Sequence, residues 1–446
     1  MKREYHLYYN DKVGNKCVVY SSETKQISTM SQSAWYKLYH KFKLLKGYEM
    51  DEKGLLKYAA DFATWVKEIK SSPIKLAPKS FKTFDPLFYN SLNEISKGLF
   101  RIIGKGKYEH HEPITDIERK YMDDCPNSGL MYCDESISEK YIKSYSYDYT
   151  FDYPKCMAAD KLKIPSKAGK EYKLNVLPEV KDIKTGYYRI KITCENKEFR
   201  KLFTFSKKHT YADRSVIQAI KYKDEYNVKI ELNQDLNYNC YLYDDECLES
   251  GKKIFGKWYE YILGLKEKFP KNGLVKFIGS SLHGQISQRT YLTKSDDQVY
   301  EEILDIGVLP KNRYFVKEIS FFGEIQKYKL IDTKKPSEFD IRLKSFLTAY
   351  VRNKTARLVT GHLYFGKDII KNVEHNLQNI IRVHTDSVTF TKEMKHLDDV
   401  PDLKLEKKST GLIKWLRVGK YHNKTTGEYH GRWNDANRYD EEELDD

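Results

Sequence analysis

One stretch constrains this chain more than any other: Ile380-Ile381-Arg382-Val383-His384-Thr385-Asp386-Ser387-Val388-Thr389-Phe390. Two short β-branched, apolar-rich runs flank the polar tetrapeptide His384–Ser387. That pattern predicts a hairpin with a tight turn and one carboxylate at its tip. A carboxylate held rigidly between buried strands suits a divalent metal, although Asp and Ser are also ordinary turn residues. The reading gains weight only from partners elsewhere in the chain.

A chain of 446 residues can bury a large core in two or three lobes. Its formal net charge of +14 admits an anionic partner such as nucleic acid. An A/T-rich coding sequence would impose the same Lys, Tyr, Asn and Ile bias, so basicity supports that partner without establishing it. The cysteines at 17, 125, 133, 156, 194, 240 and 247 form no Cys-x-x-Cys and accompany no His cluster. Neither a zinc site nor a disulfide framework is indicated, and a reducing compartment fits best. The Lys-Arg start lacks a following apolar run, and no segment is apolar enough to span a bilayer. The expectation is a soluble intracellular protein, cytoplasmic, with no membrane partner.

Taken in order, residues 1–32 are polar with one β-like run, Cys17-Val18-Val19-Tyr20. Leu55, Tyr58, Ala59, Phe62, Trp65, Val66 and Ile69 then fall on one helix face, with Pro73 just past its end. Asp85-Pro86 reads as a helix cap followed by proline at the first helical position, and Leu92, Ile95, Leu99 and Ile102 continue the stripe to Gly104. No Asp-x-Glu of a metal-dependent 3′–5′ exonuclease occurs in these helices. Ser144–Lys155 is an aromatic β-prone run that carries Asp148 and stops at Pro154. Alternation from about 185 to 245 predicts strands of a mixed sheet. Residues 254–268 and 272–286 read as two helices broken at Pro270. The second sets Lys276, Ser280 and His283 on one face and Val275, Ile278 and Leu282 on another. Phe315–Phe322 reads as a strand, 338–358 and 366–378 as amphipathic helices, and 440–446 as an acidic, solvated tail.

Two carboxylates on strands, Asp148 and Asp386, with a cationic helix stripe between them in sequence, are the parts that in-line nucleotidyl transfer on two Mg²⁺ ions requires. Lys276 would meet triphosphate oxygens as a compact point charge. Here the chain resembles family B DNA polymerases, closest to the small protein-primed kind of phages and linear mobile elements. The family's Asp-x-x-Ser-Leu-Tyr-Pro is matched by Asp148-Tyr149-Thr150-Phe151-Asp152-Tyr153-Pro154. Its Lys-x-x-x-Asn-Ser-x-Tyr-Gly is matched by Lys276–Gly284, and its Asp-Thr-Asp-Ser by His384-Thr385-Asp386-Ser387. Phe346–Tyr350 resembles the helix before the third motif. The primer-gripping Lys-x-Tyr corresponds to Lys420-Tyr421, without the intervening residue. Three motifs in order cover roughly 120–425 by placement.

The resemblance implies an α+β right-hand fold of palm, fingers and thumb. Its boundaries would be a mostly helical 1–119 without an exonuclease, palm 120–250, fingers 251–290, insertion and palm 291–400, and thumb with acidic tail 401–446. It implies Asp148 and Asp386 as catalytic metal ligands with the Tyr149 carbonyl assisting, on Mg²⁺ or alternatively Mn²⁺. Tyr153 would stack under the incoming sugar and exclude a 2′-hydroxyl, Lys276 would bind triphosphate, and Ser280 and His283 would line the nascent base pair. Lys420 and Tyr421 would touch primer-template. The implied activity is DNA-directed DNA synthesis from dNTPs on a primer-template, in replication of a viral or mobile element within its host cell. A terminal protein or a separate exonuclease or processivity subunit would be partners. The competing readings are a catalytically inactive nucleic-acid-binding relative and a partner-dependent subunit.

Four departures stand out: Phe151 for Ser, Ser280 for Asn, His283 for Tyr, and His384 for the third motif's first Asp. The last puts His384, with Thr385, beside the metals as a group titrating near neutrality, so activity is expected to fall below about pH 6.5.

Overall fold

The structure, a computed structural model, describes residues 5–11, 16–31, 34, 44–46, 52–104, 107–137, 140–286, 291–295, 314–322, 325–332, 339, 341–365, 368–372, 377–398 and 400–430. Strands β1 (His6–Asp11), β2 (Lys16–Ser21), β3 (Ile27–Ser31) and β4 (Leu44–Lys46) come first, then helices α1 (Glu52–Lys70) and α2 (Leu92–Gly104). Helix α3 (Asp116–Asp124), strands β5 (Leu130–Cys133) and β6 (Tyr141–Tyr149) and the short helix α4 (Asp152–Met157) follow. Next are β7 (Lys170–Tyr172), β8 (Gly186–Thr193), β9 (Thr210–Ala212), α5 (Asp213–Lys221), β10 (Lys229–Leu232) and β11 (Cys240–Leu242). Helices α6 (Gly251–Lys268) and α7 (Gly273–Ile286) precede β12 (Tyr291–Ser295), β13 (Tyr314–Phe322) and β14 (Ile325–Asp332). Helix α8 (Lys344–Thr360) leads to β15 (His362–Phe365), β16 (Asp368–Asn372), β17 (Ile380–Thr385) and β18 (Ser387–Phe390). The described residues end in β19 (Leu403–Leu405), β20 (Gly411–Arg417), β21 (Lys420–Asn423) and β22 (Glu428–His430).

Two units divide these elements: 1–113 with 157–160 and 250–341, and 114–156 with 161–249 and 342–446. Within the region 1–119, expected to be mostly helical, strands come before the helices α1 and α2. β1–β4 form a sheet of order β3-β2-β1-β4, with β1 antiparallel to β2 and parallel to β4. These strands are only three to six residues long. So little alternation gives no clear period along the sequence, and only Cys17–Tyr20 announces a strand. Helix α1 buries Leu55, Ala59, Phe62, Val66 and Ile69, as the stripe requires. Asp85 accepts from the Leu87 amide at 3.0 Å, but it caps a single 3₁₀ turn, and α2 begins afresh with Ser91 accepting from the Glu94 amide. Helix α7 lies against α2, where Ser96 Oγ donates to the Ile278 carbonyl at 2.8 Å.

In the second unit β7, β11, β8 and β9 pair in that order with β10 also on β8, and every pairing is antiparallel where a mixed sheet was expected. The principal sheet has order β22-β21-β20-β6-β18-β17-β5, with β19 also alongside β6. Its pairings are antiparallel too, so the strands of 403–430 extend the sheet that carries Asp148. Tyr147, Tyr149, Val388 and Phe390 line one face and pack with Ala356, Leu358 and Val359 of α8 and with Tyr188 and Ile190 of β8. Helix α8 is buried on most sides rather than amphipathic and ends at Gly361, whose φ of 77° turns the chain out of the helix. Beyond it, where a helix 366–378 was expected, residues 368–372 form strand β16, paired with β15, and the β-branched Ile369 and Ile370 favour it. The acidic stretch 440–446 lies outside the described residues. No helix among the described residues is long and apolar enough to cross a membrane.

Candidate metal and nucleotide site

The hairpin forms with the register its pattern predicts. His384 stands opposite Ser387, which leaves Thr385-Asp386 as a two-residue loop. The Asp386 amide donates to the His384 carbonyl at 2.8 Å. Thr385 takes a φ of 62°, a left-handed conformation that a β-branched residue adopts only under constraint. Helix α8 supplies part of that constraint, because Thr355 Oγ1 donates to the Thr385 carbonyl at 2.7 Å. Gly129 supplies the room. A Cβ there would meet Thr385 Cγ2 at 2.7 Å and its Cα at 2.9 Å.

Asp148 sits at the end of β6, directly opposite Ser387 of β18, and the next residue's amide donates to the Asp386 carbonyl at 3.2 Å. Sequence-distant Asp148 and Asp386 are thereby brought together. Burial first, then the charges of Asp148 and Asp152, push the Asp386 carboxyl up to about 8. The aromatic run does not continue to Pro154. It ends at Tyr149, Phe151 turns the chain at a φ of 63°, and Pro154 falls in the first turn of α4, where its missing amide costs nothing. That turn delivers Tyr153, buried, its phenol raised by burial and by Asp386 and Asp152.

The turn also delivers a residue that motif reading passed over. Asp152, where the family pattern has Leu, is 2 % exposed and ion-paired through Oδ1 with Lys354 of α8, while Oδ2 is buried without a hydrogen-bond partner. The Lys354 ammonium lies 3.7 Å from the centre of the Tyr149 ring. Burial alone would depress this ammonium, but Asp152, Cys156 and Tyr149 hold it well above its ordinary range. The sequence signal was available: an aspartate in an apolar slot between two aromatic residues. Buried, mutually repelling carboxylates are a hard oxygen donor set that suits Mg²⁺ or Mn²⁺.

His384 does not behave as expected. Its Nδ1 lies 2.8 Å from Arg382 Nη2, and a guanidinium can only donate, so Nδ1 keeps its lone pair. Burial and then Arg382 push the imidazole down to about 4. The ring is therefore neutral near pH 6.5, and His384 protonation does not set the activity there, contrary to the expectation from sequence. Arg382 itself is buried on the Asp148 face of the sheet. It donates to the Val418 carbonyl at 2.5 Å and to Ser387 and Thr389 hydroxyls at 3.3 Å, with its guanidinium 4.7 Å from the Trp415 ring centre.

The remaining residues singled out from sequence fall elsewhere. Lys276 and Ser280 are exposed and His283 half-buried on α7 of the first unit, opposite buried Val275, Ile278 and Leu282, as the periodicity predicts. Ser280 Oγ is turned back onto the Lys276 carbonyl at 2.8 Å, and His283 Nδ1 lies 2.9 Å from the Ser280 carbonyl. Tyr421 is 5 % exposed, its ring between those of Trp415 and His430, so it packs the sheet. Its neighbours Lys420 and His422 point to the other face. The Asp-x-Glu nearest before Asp148, Asp116-Ile117-Glu118, is also accounted for. Glu118 is fully buried, Oε1 2.5 Å from Arg342 Nε and Oε2 2.9 Å from Nη2, with Tyr243 donating to Oε1 at 2.5 Å.

No family model and no curated protein matches the sequence. Among solved structures, the fold is similar to Phi29 DNA polymerase complexed with primer-template DNA, at a TM-score of 0.51 and 13 % identity over 94 % of this chain and 87 % of that one. The same polymerase complexed with single-stranded DNA gives a TM-score of 0.50, also at 13 % identity, with the same coverage. At such identity the likeness is one of fold.

Proposed function

We propose that this chain is a DNA-directed DNA polymerase that adds deoxynucleotides to a 3′-hydroxyl, or to a protein hydroxyl, on a DNA template. The observation that carries the reading is the convergence of Asp148 and Asp386 at the ends of adjacent antiparallel strands, in a fold similar to a polymerase solved with primer-template. Divalent magnesium bound by Asp148, Asp386 and the Tyr149 carbonyl would supply Lewis-acid activation of the hydroxyl and neutralise the triphosphate. The strained Thr385 turn and its Thr355 anchor hold Asp386 in place before substrate arrives. Tyr153, buried near Asp386 and Asp152, would form the floor on which the sugar rests and exclude a 2′-hydroxyl. By the family pattern Lys276 is the candidate for the triphosphate, with Ser280 and His283 on the same face of α7. Lys420 remains a candidate for primer-template contact. His422, not Tyr421, shares its face, so the pair Lys420–His422 takes the place assigned to Lys420-Tyr421.

Proofreading is not part of this reading. Glu118, the acidic residue of the Asp-x-Glu nearest before Asp148, is consumed by Arg342 and Tyr243. The test is extension of a labelled primer–template with four dNTPs and Mg²⁺ or Mn²⁺, beside Asp386→Asn. Extension by the native protein that the variant loses supports the reading. DNA binding with steep salt dependence and no extension by either protein sinks it in favour of a binding relative.

A further inference from the structure

We propose that Asp152 is a third metal-facing carboxylate of this site, with Lys354 its built-in countercharge. The inference rests on the reading of Asp148 and Asp386 as metal ligands and extends it to a residue that the family pattern does not assign. Three observations carry it. Asp152 lies at the start of α4, three residues past the end of the strand that holds Asp148, and the intervening Phe151 is forced to a φ of 63°. Its carboxylate is buried, yet only Oδ1 is engaged, by Lys354 and by the Cys156 thiol, which donates at 3.6 Å, and Oδ2 has no hydrogen-bond partner. Its charge is felt at the Asp386 carboxyl and at the Tyr153 phenol, which places it among the same groups.

A buried carboxylate oxygen left without a donor is costly, and structural ion pairs are normally finished with further hydrogen bonds. A divalent cation shared with Asp386 would complete Asp152 and relieve the repulsion between the carboxylates. The chain also lacks a carboxylate at His384, so the exchange of His384 and Asp152 against the pattern keeps three acidic groups at the site. Lys354 balances one of them and keeps Asp152 in place through its ion pair and its seat on Tyr149.

The test is Mn²⁺ titration of the full chain followed by the loss of the free-ion magnetic resonance signal, without DNA or nucleotide. Asp152→Asn, nearly isosteric and able to keep Lys354 as a donor, is expected to lower Mn²⁺ affinity about tenfold or more. Lys354→Met, which removes the cation sharing the charge of Asp152, is expected to tighten binding. A merely structural pair would not tighten it. Wild-type affinity in both variants, with Asp148→Asn and Asp386→Asn weakened, overturns the role of Asp152 and leaves the two-carboxylate reading intact. Unchanged affinity in Asp148→Asn and Asp386→Asn overturns that reading and this inference together. Should Asp152→Asn fail to fold, the apolar double variant Asp152→Leu with Lys354→Met is judged by the same affinity criterion.

Discussion

Glu118 and Asp152 are equally hidden carboxylates of the second unit, and each faces a cation from the segment that forms or leads into α8. They are completed differently. Both oxygens of Glu118 are taken, by a two-point contact from Arg342 and a third bond from Tyr243. Asp152 has one oxygen on Lys354 and the Cys156 thiol, and one without a hydrogen-bond partner. A buried charge that is fully satisfied serves the fold, and it repels any rearrangement. A half-satisfied one stays near a cluster of like charges only if something is to bind there. The comparison separates carboxylates that hold the chain together from those that await a ligand.

Primer extension should divide the two groups most widely. Asp386→Asn removes several kcal/mol of transition-state stabilisation, on the order of a thousandfold in rate, with the fold retained. Glu118→Gln should leave the rate per folded molecule unchanged. A Glu118 variant that folds but cannot extend would place that residue in the site and break the distinction.

Stability should show the reverse order. Glu118→Ala strands Arg342 in the interior and is expected to cost about 3–5 kcal/mol, read as a lowered urea midpoint. The Mn²⁺ affinity of the fraction that remains folded should be that of the native protein. A loss under about 1 kcal/mol would mean that water reaches Arg342 and that the closed network is not closed.

Asp213 sharpens the comparison, because it too is buried with one oxygen unpartnered, yet it is not among the main groups that raise the Asp386 carboxyl or the Tyr153 phenol. Burial pushes its carboxyl up to about 6, offset in part by Arg214 and by amides at the start of α5. A carboxyl raised on folding binds its proton more tightly in the native state, so its contribution is most favourable below about pH 4. It is lost as pH rises through about 6. Asp213→Asn should therefore change nothing near pH 4 and add up to about 3 kcal/mol at pH 8, by urea melts at both values. Its Mn²⁺ binding should be unaltered. Weakened binding would show that a leftover oxygen alone, without neighbouring carboxylates, marks a site.

Much of this was legible in the chain. β-branched apolar runs around a polar tetrapeptide point to the hairpin, an aromatic β-prone run puts Asp148 on a strand, and helical spacing puts Lys276 on a helix face. What escaped was whatever depends on a distant partner. Asp152 reads as a stray polar residue until Lys354 is buried beside it. The neutrality of His384 had a local signal, since Arg382 lies two residues away on the same strand face, but its force comes from burial that sequence does not report. The N-terminal sheet is built from strands of three to six residues whose pairing is non-local, so no period announces it. The Thr385 conformation was likewise hidden, since threonine is a residue that turn chemistry would not choose for a positive φ.

That residue offers the smallest and most discriminating change. A β-branched side chain at a φ of 62° costs on the order of 1–3 kcal/mol, and glycine adopts the same conformation without strain. Glycine also gains freedom in the unfolded chain, so Thr385→Gly should stabilise by no more than about 1 kcal/mol. The Thr355 hydrogen bond to the carbonyl survives the change, because it does not use the side chain. If the strain is what holds Asp386 toward Asp148, the variant should melt slightly higher and bind Mn²⁺ more weakly. Tighter folding with unchanged Mn²⁺ affinity and unchanged extension would instead assign the positioning to Thr355 and the strand register, and leave the strain as a consequence of packing against Gly129.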